Sequence, residues 1–156
     1  MAETRWLDDQ EMRIWRAFLH GSIGVVGHLG SSIKAASGLT LDDYEVLVHL
    51  SEADGRRMRM TELSERLLNS QSRLTQRIDR LVERGLVRRE KCPDDRRGTF
   101  ACLSVNGMRT IQELAPIHLG DVRHWLIDLI EPAEREVVAT VLERIAELAC
   151  QKPDAT

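Results

Sequence analysis

Hydrophobic residues recur at steps of three and four along most of this chain, which is the spacing of one buried face of an α-helix. Shorter stretches have strand-like patterns and are bounded by turn residues. The helical pattern predicts helices over 8–36, 41–53, 62–68, 104–130 and 132–150, and one between Ser70 and Gly85. The strand-like stretches are 57–60, 86–92 and 99–105. The chain is therefore predicted to be mainly α with a small antiparallel hairpin.

The helix between Ser70 and Gly85 has an unusual polar face. Its apolar stripe consists of Leu74, Ile78, Leu81 and Val82, and its opposite face carries Ser72, Arg73, Gln76 and Arg80. Arg73 lies in the first turn, where the helix dipole favours anions, so its position indicates an external anion nearby. Side chains of these types hydrogen-bond base edges and phosphates in DNA. An ordinary solvated charged face is the alternative interpretation.

The segment before this helix completes a recognisable arrangement. Thr61 is a good N-cap for the helix over 62–68, and a short turn then leads to Ser70. Two helices joined so closely, the second of them cationic, are typical of a helix-turn-helix. Further upstream, Thr40 and Asp43 predict a capping box for the helix over 41–53. That helix is predicted to expose Asp42, Asp43, Glu45 and Glu52 and to bury Tyr44, Leu47 and Leu50.

The first and last helices have apolar stripes that favour helix–helix packing. In the first helix, a heptad-like seam requires a partner helix, and a second stripe of Ile14, Phe18 and Val25 indicates packing both within the subunit and across a dimer. The last helix has a stripe of Val137, Val141, Ile145 and Leu148. Glycines at 21, 24, 27 and 30 weaken the first helix or admit a close neighbour, and we expect the helix to remain continuous. The seam consists of Met12, Trp15, Leu19, Ser22, Val26, Leu29 and Ile33.

The turn of the hairpin carries a second cationic feature. Residues 93–98 supply Pro, Asp and Gly for a turn, with Arg96 and Arg97 at its tip. Two adjacent arginines on a projecting turn suit a narrow, electronegative minor groove. Asp95 is placed to pair with one of them. We therefore expect one arginine to be structural and the other to contact DNA.

The distribution of charge adds to this evidence. The 156 residues carry a net charge of only −3. However, 13 Arg and Lys face seven Asp and Glu between Arg56 and Arg97, whereas the rest of the chain holds nine cations and 18 acids. Such a positive segment in an acidic protein is typical of polyanion binding.

Composition excludes several classes of protein. No apolar run approaches the roughly 20 residues that span a bilayer, and the first residues lack the apolar core of a signal peptide, so a cytoplasmic location is expected. Cys92, Cys102 and Cys150 have no CxxC spacing, and no histidine pair lies four residues apart, so neither a metal nor a cofactor is expected. The sequence contains neither a nucleophile elbow nor a phosphate loop, so no enzymatic activity is predicted.

Three motifs, in this order, resemble the MarR family of bacterial winged-helix transcriptional regulators. They are Gly38-Leu-Thr40 with Tyr44-Glu-Val-Leu47, the run from Ser70 to Val87, and Asp95-Arg-Arg97 with Leu103-Ser104. The resemblance covers about 8–150. It implies a winged helix-turn-helix lobe over 39–104 and dimerisation helices over 1–38 and 105–156.

By similarity, the protein would be a homodimeric regulator, most simply a repressor, on a pseudo-palindromic site in double-stranded DNA. The cationic helices would enter successive major grooves, and the hairpins, or wings, would reach the flanking minor grooves. The expected DNA contacts are Ser70, Gln71, Ser72, Arg73, Thr75, Gln76, Arg77, Arg80, Arg96 and Arg97.

The family resemblance also implies a pocket for a small organic effector between the dimer helices and the lobe. The candidate residues combine apolar bodies with polar tips, which suits aromatic acids or amphiphiles, although ordinary core packing explains them as well. The sequence lacks the cysteine that redox-sensing members carry near the start of the first helix, and Cys92 and Cys102 are expected to be buried and inert. The alternatives for function are a ligand-independent regulator and a winged-helix protein-interaction module without DNA binding. The candidate effector residues are Trp15, His28, Tyr44, His118 and Trp125.

Overall fold

The computed structural model describes residues 4–67, 70–92 and 95–150, with the backbone alone at 95–97 and 150. In this part of the chain, six α-helices accompany three strands and two short 3-10 turns. The helices are α1 Asp9–Ser37, α2 Leu41–Glu52, α3 Met60–Arg66, α4 Gln71–Glu83, α5 Val105–Trp125 and α6 Arg135–Cys150. The strands are β1 Arg57–Arg59, β2 Val87–Cys92 and β3 Asp95–Leu103. None of the described helices combines the length and the apolar character that crossing a membrane requires.

The three strands form one antiparallel sheet in the order β1-β3-β2. Arg59 of β1 and Glu90 of β2 both lie opposite Phe100 of the central strand. Because side chains alternate across a strand, Met58 and Ala101 point to the other face, and both are buried. One face of the sheet therefore covers the core, and the other carries charged residues.

The core lies between this sheet and α2, α3 and α4. Leu47, Leu63, Leu74 and Ile78 are all fully buried there. Ile33 from the end of α1 and Leu114 from α5 belong to the same hydrophobic cluster. Helices α1 and α5 pack against each other and against α2, so both long helices share one core with the helix-turn-helix.

Helix α1 is continuous through its glycines, as the sequence predicted. A Cβ added at Gly21, Gly24 or Gly27 would meet nothing within 4 Å in the described part of the chain. Of the predicted seam, only Leu29 and Ile33 are buried, so the first half of α1 has little packing within its own chain. Capping boxes at Asp8 and at Thr40 with Asp43 fix the starts of α1 and α2.

The apolar stripe of α6 lies uncovered. Val137, Val141, Ile145 and Leu148 are all exposed, although they share one face of the helix. Ile14, Phe18 and Trp15 of α1 are exposed as well. These large apolar surfaces lie on the terminal helices and not on the helix-turn-helix.

Several predicted helix boundaries were wrong. Helix α3 begins at Met60, so its N-cap is Arg59 and not Thr61. Helix α5 ends at Trp125 rather than Ile130, because Leu126 has a non-helical backbone and a 3-10 turn follows. Helix α6 begins at Arg135, since residues 132–134 form a turn before it.

Two predictions of burial were also wrong. Asp43 was expected to be exposed, but it is 6% exposed because its carboxylate is enclosed by arginines from α4. Val82 was assigned to the apolar stripe of α4, but it is 38% exposed. It lies beyond Leu81, at the edge of the surface that packs on the core.

Candidate nucleic-acid interface

Helix α4 has one buried apolar face and one exposed polar face. The Ser70 hydroxyl accepts a hydrogen bond from the Arg73 amide at 3.4 Å and so caps the first turn. Gly85, with φ of +70°, ends the helix in a conformation that other residues rarely adopt. Leu74, Ile78 and Leu81 are fully buried. Seven of the predicted contacts are exposed, namely Ser70, Gln71, Ser72, Arg73, Thr75, Gln76 and Arg80.

Arg73 is the cation with the clearest opening to an external anion. Its side chain is exposed and makes no hydrogen bond or ion pair with the residues that the structure describes. The first turn of α4 contains no acidic residue that would neutralise it. The bare amides of the same turn also favour an anion, so charge and dipole act together here.

Arg77 does not lie on the exposed face. It is 8% exposed and donates to the Asp42 carboxylate at 2.5 Å, while its Nε lies 3.7 Å from Asp43. The guanidinium therefore joins α4 to the start of α2. Successive residues of an α-helix lie about 100° apart, so Arg77 points away from the direction of the exposed Gln76 and toward the buried side of α4.

Arg80 is partly exposed to solvent and also contacts Asp43, one of the two aspartates that bind Arg77. Its side chain is 53% exposed, yet it donates to Asp43 at 3.4 Å. One turn later, Arg84 donates to the carbonyl oxygen of Ser37 at 2.7 Å. Arg77 and Arg80 of α4, together with Arg84 directly after the helix, thus hold the junction between α1 and α2. None of these three pairings was predicted from the sequence.

The wing is attached to α4 by another arginine that the sequence analysis missed. Arg89 of β2 forms an ion pair with Asp79 and donates to the carbonyl oxygen of Thr75 at 3.2 Å. A cleft of about 650 Å³ lies between α4 and the strands at this point. It is lined by Arg59, Met60, Thr61, Gln71, Thr75, Arg89, Gly98 and Thr99.

Arg96 and Arg97 are placed differently from the prediction. They were expected at the tip of a turn, but strand β3 begins at Asp95, so both lie in the strand. Cys92 of β2 pairs with Asp95, so β3 begins earlier in the chain than predicted. The side chains of Arg96 and Arg97 lie outside the described residues, and their contact with DNA stays a prediction.

The structure brings four of the five candidate effector residues into two pairs. The rings of His28 and Trp125 stack at 3.9 Å, which joins α1 to α5. Tyr44 of α2 and His118 of α5 lie 5.0 Å apart. Burial raises the pKa of the Tyr44 hydroxyl. Trp15 lies apart from these pairs, near Phe18 on α1.

Comparison with known proteins decides the family. A model of the MarR family matches residues 37–98. The crystal structure of AbsC, a MarR family transcriptional regulator from Streptomyces coelicolor, is 42% identical to this chain with a TM-score of 0.90. That similarity covers 95% of this chain and 100% of AbsC. This chain belongs to the MarR family.

Two further relatives agree with this assignment. Sco3205, a MarR family transcriptional regulator from Streptomyces coelicolor whose structure was determined in complex with DNA, is 33% identical with a TM-score of 0.91. The similarity covers 99% of this chain and 95% of Sco3205. The HTH-type transcriptional regulator MhqR of Bacillus subtilis is 24% identical over 86 residues, and the match spans only 59% of its length. The mainly α, winged helix-turn-helix fold predicted from the sequence is confirmed.

Two of the three cysteines of this MarR family chain, Cys92 and Cys102, lie in its wing, where both are free and buried. Burial raises the pKa of the Cys102 thiol to about 11, and the neighbouring Glu90 carboxylate adds to this effect. Little of the thiol is therefore ionised at neutral pH, and the thiolate is the reactive form.

We expect Cys102 to resist alkylation by iodoacetamide at pH 7.5 in the folded protein. Peptide mass spectrometry after timed labelling measures this, and the same reaction in denaturant is the control. The thiolate fraction should rise only as the pH approaches 11, because the raised pKa favours the protonated form below that value. Rapid labelling of folded protein at pH 7.5 would contradict the inert assignment.

Proposed function

We propose that this chain is a sequence-specific transcriptional regulator that binds a pseudo-palindromic site in double-stranded DNA as a homodimer. The observation that carries the proposal is the exposed polar face of α4, with Arg73 in its first turn, which has no ion-pair partner in the described part of the chain. A reading helix of this kind enters the major groove with its N-terminal residues toward the bases. The 33% identical Sco3205, crystallised with DNA, supports the same role. Repression is the simplest mode, since a bound dimer blocks access to a promoter.

The proposed contacts are the exposed part of the predicted set. Ser72, Arg73 and Gln76 face base edges, because they lie together near the start of α4. Arg80 contributes charge from the next turn, although Asp43 neutralises part of it. Arg77 is not among the proposed contacts, since it is buried against α2. The side chains that border this face are Ser70, Gln71 and Thr75, and Arg96 and Arg97 are proposed to extend the contact into the minor groove.

A homodimer is proposed because the terminal helices leave apolar surface without cover. The stripe of α6 and the exposed side chains of α1 lie on the segments assigned to dimerisation, 1–38 and 105–156. Among the described residues of the lobe proposed to bind DNA, 39–104, Val82 is the only large apolar residue that is exposed. A second copy of the chain, packed through α1, α5 and α6, would cover both surfaces and hold two α4 helices at a fixed separation.

Replacing Ile145 with glutamate is expected to weaken dimerisation by at least about 100-fold. A charged group on the α6 stripe would be buried twice in a symmetric dimer, and each isoleucine lost there removes about 2 kcal/mol of apolar burial. Sedimentation equilibrium measures the change. Ala139→Glu, on the opposite face of the same helix, is the matched control and should leave the dimer intact. Equal dissociation constants for the two variants would exclude α6 from the interface.

A small organic effector is proposed to bind near the two aromatic pairs between α1, α2 and α5. Both pairs join helices of the dimerisation segments to each other or to the lobe, so a ligand there would change the position of the lobe. A thermal-shift screen with aromatic carboxylates tests this, because a ligand that binds the folded state raises its stability. A regulator without an effector is the alternative that a uniformly negative screen would favour.

Electrophoretic mobility shift with DNA from the protein's own promoter region tests the function as a whole. Specific binding should resist competitor DNA, and affinity should fall steeply with salt because several phosphates are neutralised in each half-site. The absence of any shift at low salt would favour a protein-interaction module instead. The exposed Arg73 in the first turn of α4 is the observation that argues against such a module.

A further inference from the structure

We infer that Arg89 is a positioning residue that fixes the angle between the wing and α4. This inference rests on the proposed function, since its consequence appears on DNA. Arg89 lies on β2 and reaches across to α4, where it contacts Asp79 and the Thr75 carbonyl oxygen. Thr75 and Asp79 are four residues apart, so one guanidinium spans a full turn of α4.

The pairing also explains an acidic residue on a helix proposed to lie against DNA. The Asp79 side chain is 48% exposed, and a carboxylate there would repel the phosphate backbone. Arg89 neutralises it by a charge-assisted hydrogen bond, which is stronger and more directional than a neutral one. Asp79 thereby becomes an attachment point for the wing rather than a contact for DNA.

The base of the wing is held separately. Ser104 donates from its hydroxyl to the Gly85 carbonyl at 2.7 Å, and its amide donates to Leu86 at 3.0 Å. Beyond the base, the cleft of about 650 Å³ separates α4 from the strands. Arg89 lines that cleft and crosses it. The distance from α4 to the outer wing therefore depends on a polar contact more than on apolar packing.

Arg89→Met is expected to loosen the wing while leaving α4 able to read its site. In footprints on the operator, protection of the flanking minor grooves should be lost, and protection of the central major grooves should remain. Total affinity should fall about ten-fold, as expected for the loss of a hydrogen bond between charged groups. Asp79→Asn, which keeps the shape of the side chain, should give the same pattern, and the double variant should lose no more than either single one.

Arg88→Met is the matched control. Arg88 is the neighbour of Arg89 in β2, points to the opposite face of the sheet, and lies 3.5 Å from Glu90. The Arg88→Met substitution removes the same charge without affecting a contact with α4, so the footprint of this variant should match that of wild type. Equal loss of flanking protection in Arg88→Met and Arg89→Met would assign the effect to charge alone and overturn the inference.

A second measurement, hydrogen–deuterium exchange of the free protein, does not depend on DNA. Peptides covering β2 and β3 should exchange faster in both Arg89→Met and Asp79→Asn, while peptides of α2 should not change. Unchanged exchange in the wing, or a footprint equal to that of wild type, overturns the inference. Faster wing exchange with no DNA binding by wild type would instead overturn the proposed function and leave the attachment of the wing supported.

Discussion

Replacing Gly107 with alanine is expected to lower the free energy of unfolding by about 3 kcal/mol, because no space exists there for a methyl group. An added Cβ would lie 2.3 Å from the Leu86 carbonyl oxygen and 2.7 Å from Cδ1 of Leu103. The first of these atoms belongs to the backbone and already accepts the Ser104 amide. Relief of the contact would therefore move α5 away from the base of the wing.

Gly120→Ala in the same helix is the matched control. An added Cβ there meets nothing within 4 Å in the described chain, and alanine favours a helix interior by about 1 kcal/mol over glycine. Urea denaturation of both variants at equal protein concentration gives the comparison. If Gly107→Ala proved as stable as Gly120→Ala, the close approach of α5 to Leu86 would be refuted.

Replacing Arg73 with alanine is expected to reduce discrimination between the operator and other DNA by about 1–3 kcal/mol, the range for a side chain that reads a base. Arg73 is exposed, lies in the first turn of α4 and has no partner among the described residues. Its removal should therefore leave the folded structure and its stability unchanged. Titration of operator and of scrambled DNA, followed by fluorescence anisotropy, measures the difference.

Arg109→Ala controls for the loss of one positive charge. Arg109 is an exposed residue of α5, outside the helix-turn-helix. Its removal should lower binding to operator and scrambled DNA slightly and equally. If wild type and Arg73→Ala discriminated equally between operator and scrambled DNA, Arg73 would not contact a base and would at most contact a phosphate.

The local signals of the sequence predicted most of the fold. Capping residues at Thr40 and Ser70 lie where their helices begin, and Gly85 ends α4 as expected. Helix α3 is the exception, since the Thr61 hydroxyl does not cap it. Its start is set instead by β1, which runs directly into the helix at Met60. A short helix with tertiary neighbours on both sides does not need its own capping signal.

The partners of the arginines were harder to predict. Arg77 donates to an aspartate 35 residues earlier, and no local spacing indicates such a pair. For Arg89 a signal was present. Alternation in β2 places Arg89 on the same side as the buried Val87, which belongs to the same hydrophobic cluster as the apolar face of α4. A charge on that side favours a polar partner on α4. Positive charge in this segment thus serves internal pairing, in addition to the DNA contacts proposed for it.

The single hydrophobic core has a consequence for folding. Ile33 of α1 and Ile111 and Leu114 of α5 complete the same cluster as the lobe over 39–104. A fragment that contained the lobe alone would lack these side chains and leave apolar surface exposed. The lobe and the ends of α1 and α5 therefore form one cooperative folding unit. In a dimer, subunit association would therefore raise the melting temperature of this whole unit, with α4 in it.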